Sequence, residues 1–168
     1  MQEWLFICSG NYYRSRFAQA VFNHHALQQG LPWQAFSRGL SIESADFGDE
    51  LSPHTIRALA DRGIPVELAG DRRVALTADD LARAARVTAV KHTEHYTMMR
   101  EQFPDWADRI DYWEIHDLDF AQPQESLPLI EQRILNALAD LAVDADAAAN
   151  SAKAADPTDA AADTAETD

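Results

Sequence analysis

Trp4-Leu5-Phe6-Ile7 is an unbroken apolar run that stops at Cys8, the pattern of a buried strand. Behind it, Phe17, Ala18, Val21, Phe22 and His25 recur at helical spacing until Gly30 and Pro32 end the pattern. Gln34 to Ser37 reads as a second, short strand. Ser52 followed by Pro53 predicts a capped helix start, with Ile56, Leu59 and Ala60 turned inward and Gly63 as its close. Thr77 and Asp80 have the spacing of a capping box for a helix through Ala85. Val87 to Val90 predicts a third strand, and Thr93 a cap for a helix carrying Met98 and Met99 before Pro104. Ile110 to Ile115 reads as the last strand. Leu127, Ile130, Ile134, Leu138 and Leu141 then mark one face of a long final helix.

Strands alternating with helices predict a doubly wound α/β domain, with a short parallel sheet of about four strands covered by helices on both faces. In such a sheet, sites form beyond the carboxyl ends of the strands. Cys8, His92 and Asp117 each fall just past a predicted strand end. One domain over residues 1–143 accounts for all of these elements. The remaining segment, 144–168, is rich in Ala and Asp and has no large apolar residue. It is expected to be a disordered acidic tail, because it buries too little surface to offset its ordering entropy.

Charge narrows the partners. The chain carries a net −14, of which the tail contributes −6, so a general nucleic-acid or membrane-binding surface is not expected. No stretch has the length and apolarity of a membrane span, and Met1-Gln2-Glu3-Trp4 lacks the pattern of a signal peptide. Cys8 is the single cysteine, which excludes an internal disulfide framework and a multi-cysteine metal site and makes a reducing cytoplasm the expected location.

The chemistry concentrates in Cys8-Ser9-Gly10-Asn11-Tyr12-Tyr13-Arg14-Ser15, between the first strand and the first helix. In a tight turn there, successive backbone N–H groups point into one concavity, and the helix start adds its own unpaired N–H groups and positive dipole end. Gly10 offers unusual backbone angles, and Asn11 tolerates the left-handed region. Arg14 can hold two oxygens of a tetrahedral oxyanion in its fork. The same positive field favours ionised Cys8, the nucleophilic form of the thiol, and Ser15 is placed to donate to that sulfur. By chance, Arg followed by Ser or Thr at this offset from a lone cysteine arises roughly once in a hundred chains.

This segment, followed by Phe17-Ala18-Gln19-Ala20-Val21-Phe22, resembles the signature of low-molecular-weight protein tyrosine phosphatases, commonly C-x-G-N-x-C-R-S-P and then A-E-A-x-F. The likeness extends through Ser37-Arg38-Gly39, Ser52-Pro53-His54, the region from His92 to Met99, and Trp113-Glu114-Ile115-His116-Asp117-Leu118, covering about residues 3 to 141. The resemblance implies a cysteine-dependent phosphomonoesterase acting through a phosphocysteine, with a phosphorylated protein or small aryl phosphate as substrate. It implies Cys8 as nucleophile, Arg14 and the loop residues Ser9, Gly10, Asn11, Tyr12 and Tyr13 around the phosphate, and Asp117 as general acid and then base. Asn11 bonded to Ser37 would lock the loop, Ser15 would ease departure of the thiolate, and no metal or organic cofactor is implied. Asp119 is the competitor for the role of Asp117.

Departures from the family bear on substrate. Tyr13 replaces a second loop cysteine, Tyr12 a smaller aliphatic residue, and Arg16 a proline. The familiar Pro-Tyr after the acid is absent, leaving Tyr12 or Phe120 as the expected aromatic wall. His92, Glu94 and His95 supply fewer well-placed ligands than a zinc site needs, and Arg72-Arg73 reads as a solvated loop ahead of the alternative, a contact to an anionic substrate near the site. The competing function is a catalytically weak phosphate- or phosphopeptide-binding module. Thioredoxin-coupled arsenate reduction needs further cysteines, and protein-arginine phosphatase is a same-fold option.

Overall fold

The computed structural model describes residues 1–44, 46–119 and 121–154. Four parallel strands form one sheet in the order β2-β1-β3-β4: β1 Gln2–Cys8, β2 Trp33–Gly39, β3 Arg86–Ala89 and β4 Asp111–Tyr112. The connecting helices are α1 Arg14–Gln28, α2 Pro53–Asp61, α3 Ala78–Arg83, α4 His92–Gln102, α5 Pro104–Ala107 and α6 Pro123–Ala154. This is the expected doubly wound arrangement.

Because β1 is central, its side chains alternate between two buried layers. Trp4 and Phe6 face the layer built with Phe17, Val21 and Phe22 of α1 and Leu127, Ile130, Ile134, Leu138 and Leu141 of α6. Leu5 and Ile7 face the opposite layer, with Leu81, Val87 and Met99. The Trp4 indole N–H donates to Thr88 Oγ1 at 2.9 Å, so the one polar atom that β1 sends into its layer is satisfied. A core on each side of the strand sets its register, and with it the position of Cys8 at the strand's end.

The helix starts divide. Thr77 and Asp80 make the full reciprocal capping box. Ser52 makes no cap hydrogen bond; its hydroxyl is buried without a protein partner among the described residues. Thr93 is not a cap, because α4 starts at His92 after Lys91 and the Thr93 hydroxyl donates to Glu114 at 2.6 Å. The inward face of α2 is Thr55 and Leu59, while Ile56 and Ala60 are exposed, since the Thr55 hydroxyl is drawn to the Tyr13 carbonyl at 3.1 Å.

At the sheet edge, β4 is shorter than Ile110–Ile115 suggests. Beyond Tyr112 the chain bends to bridge Lys91 with Glu114 in antiparallel sense, while Ile115 N–H still reaches Val90 O at 2.9 Å. The tail also departs from expectation. Helix α6 continues to Ala154, through the first part of the segment read as disordered, with every residue from Asp144 exposed. Alanine propensity carries it there, since no glycine or proline intervenes before Pro157. Residues 155–168 lie outside the described residues. Among the described residues no helix is long and apolar enough to cross a membrane.

Candidate active site

The turn after β1 is fastened from outside through its carbonyls. Cys8 O accepts from Leu40 N–H, Ser9 O from Ser41 N–H and Tyr12 O from Ser52 N–H, at 2.8 to 3.0 Å. Gly10 O accepts from Arg73 Nε at 2.8 Å. With the carbonyls occupied on one side, the backbone N–H groups from Ser9 to Ser15 donate to no protein acceptor among the described residues. That is the electrical condition for an anion cradle. Arg73 is thus a buried brace of the loop rather than part of a solvated one.

The left-handed residue of the turn is Asn11, at φ 48°. Gly10 does not take a positive φ, and a Cβ added there would make ordinary contacts at 3.8 Å. Asn11 compensates for its conformation with three bonds: Nδ2 donates to Ser15 Oγ (3.1 Å) and Ser37 Oγ (2.9 Å), and Oδ1 accepts from Val74 N–H (2.8 Å). Ser37 passes the chain on to Gln19 Oε1 at 2.8 Å. Gly39 is the glycine that sterics require, because a Cβ there would lie 2.8 Å from Ser9 O and 2.7 Å from Ile42.

Cys8 is buried, with Sγ 2.8 Å from Ser15 Oγ. Arg14, only 1% exposed, folds over the same cavity. Its Nη1 donates to Ile115 O at 3.0 Å and its Nη2 to Asp117 Oδ2 at 2.7 Å. Its Nε is buried with no protein acceptor among the described residues. A cavity of about 310 Å³ is lined by Cys8, Ser9, Gly10, Tyr12, Tyr13, Arg14, Phe47, Asp117 and Asp119, among others. The structure thus brings Cys8, Ser9, Gly10, Tyr12, Tyr13, Arg14 and Asp117 to one cavity, whereas Asn11, Ser15 and Ser37 do not line it and support the loop through their hydrogen bonds. Asp119 shares the lining but makes no ion pair with Arg14. Phe120 lies outside the described residues.

One aromatic wall of the pocket is a stacked pair, Tyr12 and Phe47, with ring centroids 4.0 Å apart and planes 7° from parallel. Tyr13 is buried beside it, its hydroxyl without a partner among the described residues. Burial, then the nearby Asp117 charge, push the Tyr13 phenol up to about 12, so it stays protonated. Arg16, where the family pattern has proline, is buried and donates to the carbonyls of Asp49, Glu50, Ala69 and Gly70, tying the segment after Phe47 to the turn at Ala69 and Gly70.

Glu94 and Phe47 were not legible as site residues. Glu94 sits in the first turn of α4, within 3.4 Å of Arg14 and bonded to Ser9 Oγ. Neighbouring His95 is fully buried, and its Nδ1 accepts from Lys91 N–H, so a neutral ring carries its proton on Nε2. Burial holds the His95 imidazole below its ordinary value. His92 instead stacks on Tyr96 outside the pocket, which separates the two histidines, and no metal-binding group of three or more His, Cys, Asp or Glu residues occurs among the described residues. A further cavity of about 240 Å³ between α2 and α6 is lined by His54, Arg57, Asp61 and Arg62 among others, with no cysteine or serine.

A family model described as low molecular weight phosphotyrosine protein phosphatase matches residues 3–144. Among solved structures, a low molecular weight protein tyrosine phosphatase from T. tengcongensis is 25% identical with a TM-score of 0.66, the match covering 86% of this chain and 99% of that one. The YwlE arginine phosphatase of Geobacillus stearothermophilus is 24% identical, TM-score 0.68, covering 86% and 95%. A thioredoxin-dependent arsenate reductase of Corynebacterium glutamicum is 22% identical, TM-score 0.62, covering 86% and 63%. No curated protein sequence matches.

Proposed function

The chain belongs to the low molecular weight phosphotyrosine protein phosphatase family and is a cysteine-based phosphatase, and on that premise we propose that it cleaves phosphomonoesters in two steps through Cys8. The observation that carries this reading is the convergence of the Cys8 sulfur, the Arg14 guanidinium and the Asp117 carboxyl on one cavity. The Cys8 thiolate attacks phosphorus, an S–P bond forms, and the P–O bond to the leaving group breaks. Asp117, protonated, gives its proton to the departing oxygen. Arg14 and the loop N–H groups hold the equatorial oxygens as charge builds on them.

In the second step water attacks phosphorus, Asp117 takes the water's proton, and the S–P bond breaks. Ser15 eases that departure by donating to the sulfur. Asn11 and Ser37 hold the loop in its working shape throughout. The cycle needs no metal or organic cofactor. The stacked Tyr12 and Phe47 favour an aromatic leaving group, a small aryl phosphate or a phosphorylated protein side chain. Asp117 and Asp119 at the mouth favour basic over acidic flanking sequence. The lone cysteine suits a reducing compartment, the cytoplasm, and the catalytic unit occupies residues 1–143 with the acidic segment outside it.

Hydrolysis of p-nitrophenyl phosphate tests the reading. The intact protein releases phosphate, and Cys8→Ser abolishes turnover while leaving the cradle folded. Tight phosphate binding without any turnover would select a binding module instead.

A further inference from the structure

We propose that Glu94 is a positioning residue for the phosphatase reaction, a carboxylate that holds the Arg14 guanidinium by the edge the substrate does not use. The inference rests on the reading of Cys8 and Arg14 above. A guanidinium has two forks, one formed by Nη1 and Nη2 and one by Nε and Nη2. Glu94 takes the first: Oε2 lies 3.4 Å from Nη1, and Oε1 and Oε2 lie 3.4 and 3.5 Å from Nη2. Ile115 O takes Nη1 from a second direction. The other fork holds the buried Nε with no protein acceptor among the described residues, and Nη2 already reaches Asp117, the residue lining the cavity. The substrate's oxygens are therefore expected at Nε and Nη2, and Glu94 stands behind them.

Glu94 is itself held. Ser9 Oγ donates to Oε1, His95 Nε2 lies 3.4 Å from Oε1, and Lys91 Nζ is 4.0 Å from Oε2. One carboxylate therefore ties the second residue of the loop, its arginine and the start of α4. Burial works against its charge, but the hydrogen bond from His95, the Arg14 charge and the Ser9 hydroxyl together hold the Glu94 carboxyl well below the usual carboxylate range. It remains an anion at any working pH. That fixed charge has two consequences: it orients Arg14 for the transition state, and it lowers the net positive charge of the cradle toward any ground-state anion.

Glu94→Gln, measured on p-nitrophenyl phosphate with phosphate and vanadate as inhibitors, separates these consequences. The expected result is a kcat lower by about 10- to 100-fold, as a misaligned transition-state donor costs. Inorganic phosphate inhibition should tighten by about threefold, because a neighbouring negative charge has gone. Vanadate, which mimics the transition state, should weaken with kcat. Glu94→Asp, which keeps the charge at shorter reach, should restore phosphate inhibition to the wild-type value and part of kcat. A partly unfolded variant would lose kcat with inhibition constants unchanged, and that result overturns the proposal. So does kcat within twofold of wild type, and so does a rise in kcat, which would make Glu94 a competitor for Arg14. Failure of the phosphatase reading is a different outcome, visible in the wild-type protein as absence of Cys8-dependent turnover.

Discussion

In the loop after β1, Asn11 is 1% exposed and makes three side-chain hydrogen bonds, to Ser15, Ser37 and the backbone of Val74. In the pocket lining, Phe47 is 40% exposed and is met by the Tyr12 ring and the Arg73 guanidinium. The loop proposed to grip phosphate is over-determined: its carbonyls, its left-handed residue and its arginine each have partners from other elements. The aromatic wall proposed to meet the rest of the substrate rests on stacking and on loops at the surface. Reaction chemistry tolerates little displacement, since donors act only at hydrogen-bond distance, whereas apolar contact with a leaving group is graded. The difference teaches that the two halves should fail differently when altered, the loop in turnover and the wall in substrate preference.

Arg14→Lys is the hardest blow to the loop. A point charge replaces a planar fork, and kcat should fall by about 10³-fold with the fold retained, as steady-state kinetics and circular dichroism together would register. Next comes the proposed general acid. Asp117→Asn should lower kcat on phenyl phosphate, a poor leaving group, by about 10²-fold, while Asp119→Asn changes it less than about threefold. The reverse order would move the acid to Asp119.

Asn11→Ala should cost about 2–3 kcal/mol of stability, because it removes buried bonds and leaves a non-glycine residue at positive φ, read as a lower urea midpoint. Phe47→Ala bears on the wall alone. It should raise KM for aryl phosphates by about threefold to tenfold and spare kcat and alkyl phosphates, and equal losses on both substrates would erase the distinction between loop and wall.

The smallest effect concerns pH. Burial keeps His95 neutral in the fold, below the value of about 6.5 that an unfolded histidine has. Below pH 6.5 the unfolded chain therefore binds a proton that folded His95 does not, and stability declines as pH falls. The melting temperature should drop between about pH 7 and pH 5, and His95→Asn should flatten that slope.

Local pattern was enough for much of the molecule. The alternation of apolar runs with 3.6-residue periodicity determined a doubly wound sheet, because each strand buried on both faces must be apolar throughout and each covering helix apolar along one stripe. The spacing from Cys8 to Ser15 pointed to an anion cradle because its partners lie within one turn. What sequence could not decide are contacts between distant segments. Glu94 lies eighty residues from Arg14, in a stretch with too few ligands for a metal and no other sign of chemistry, and only the adjacency of β1 and β3 brings it behind the guanidinium. Phe47 sits in a loop with no periodicity, and only the stack on Tyr12 makes it a wall. Arg73 reads as part of a solvated loop, and Arg16 only as a replacement for proline, until the fold surrounds both with carbonyls. Periodicity and turn chemistry act between near neighbours and are written in order along the chain, whereas the partners of a buried charge are set by which strands pair.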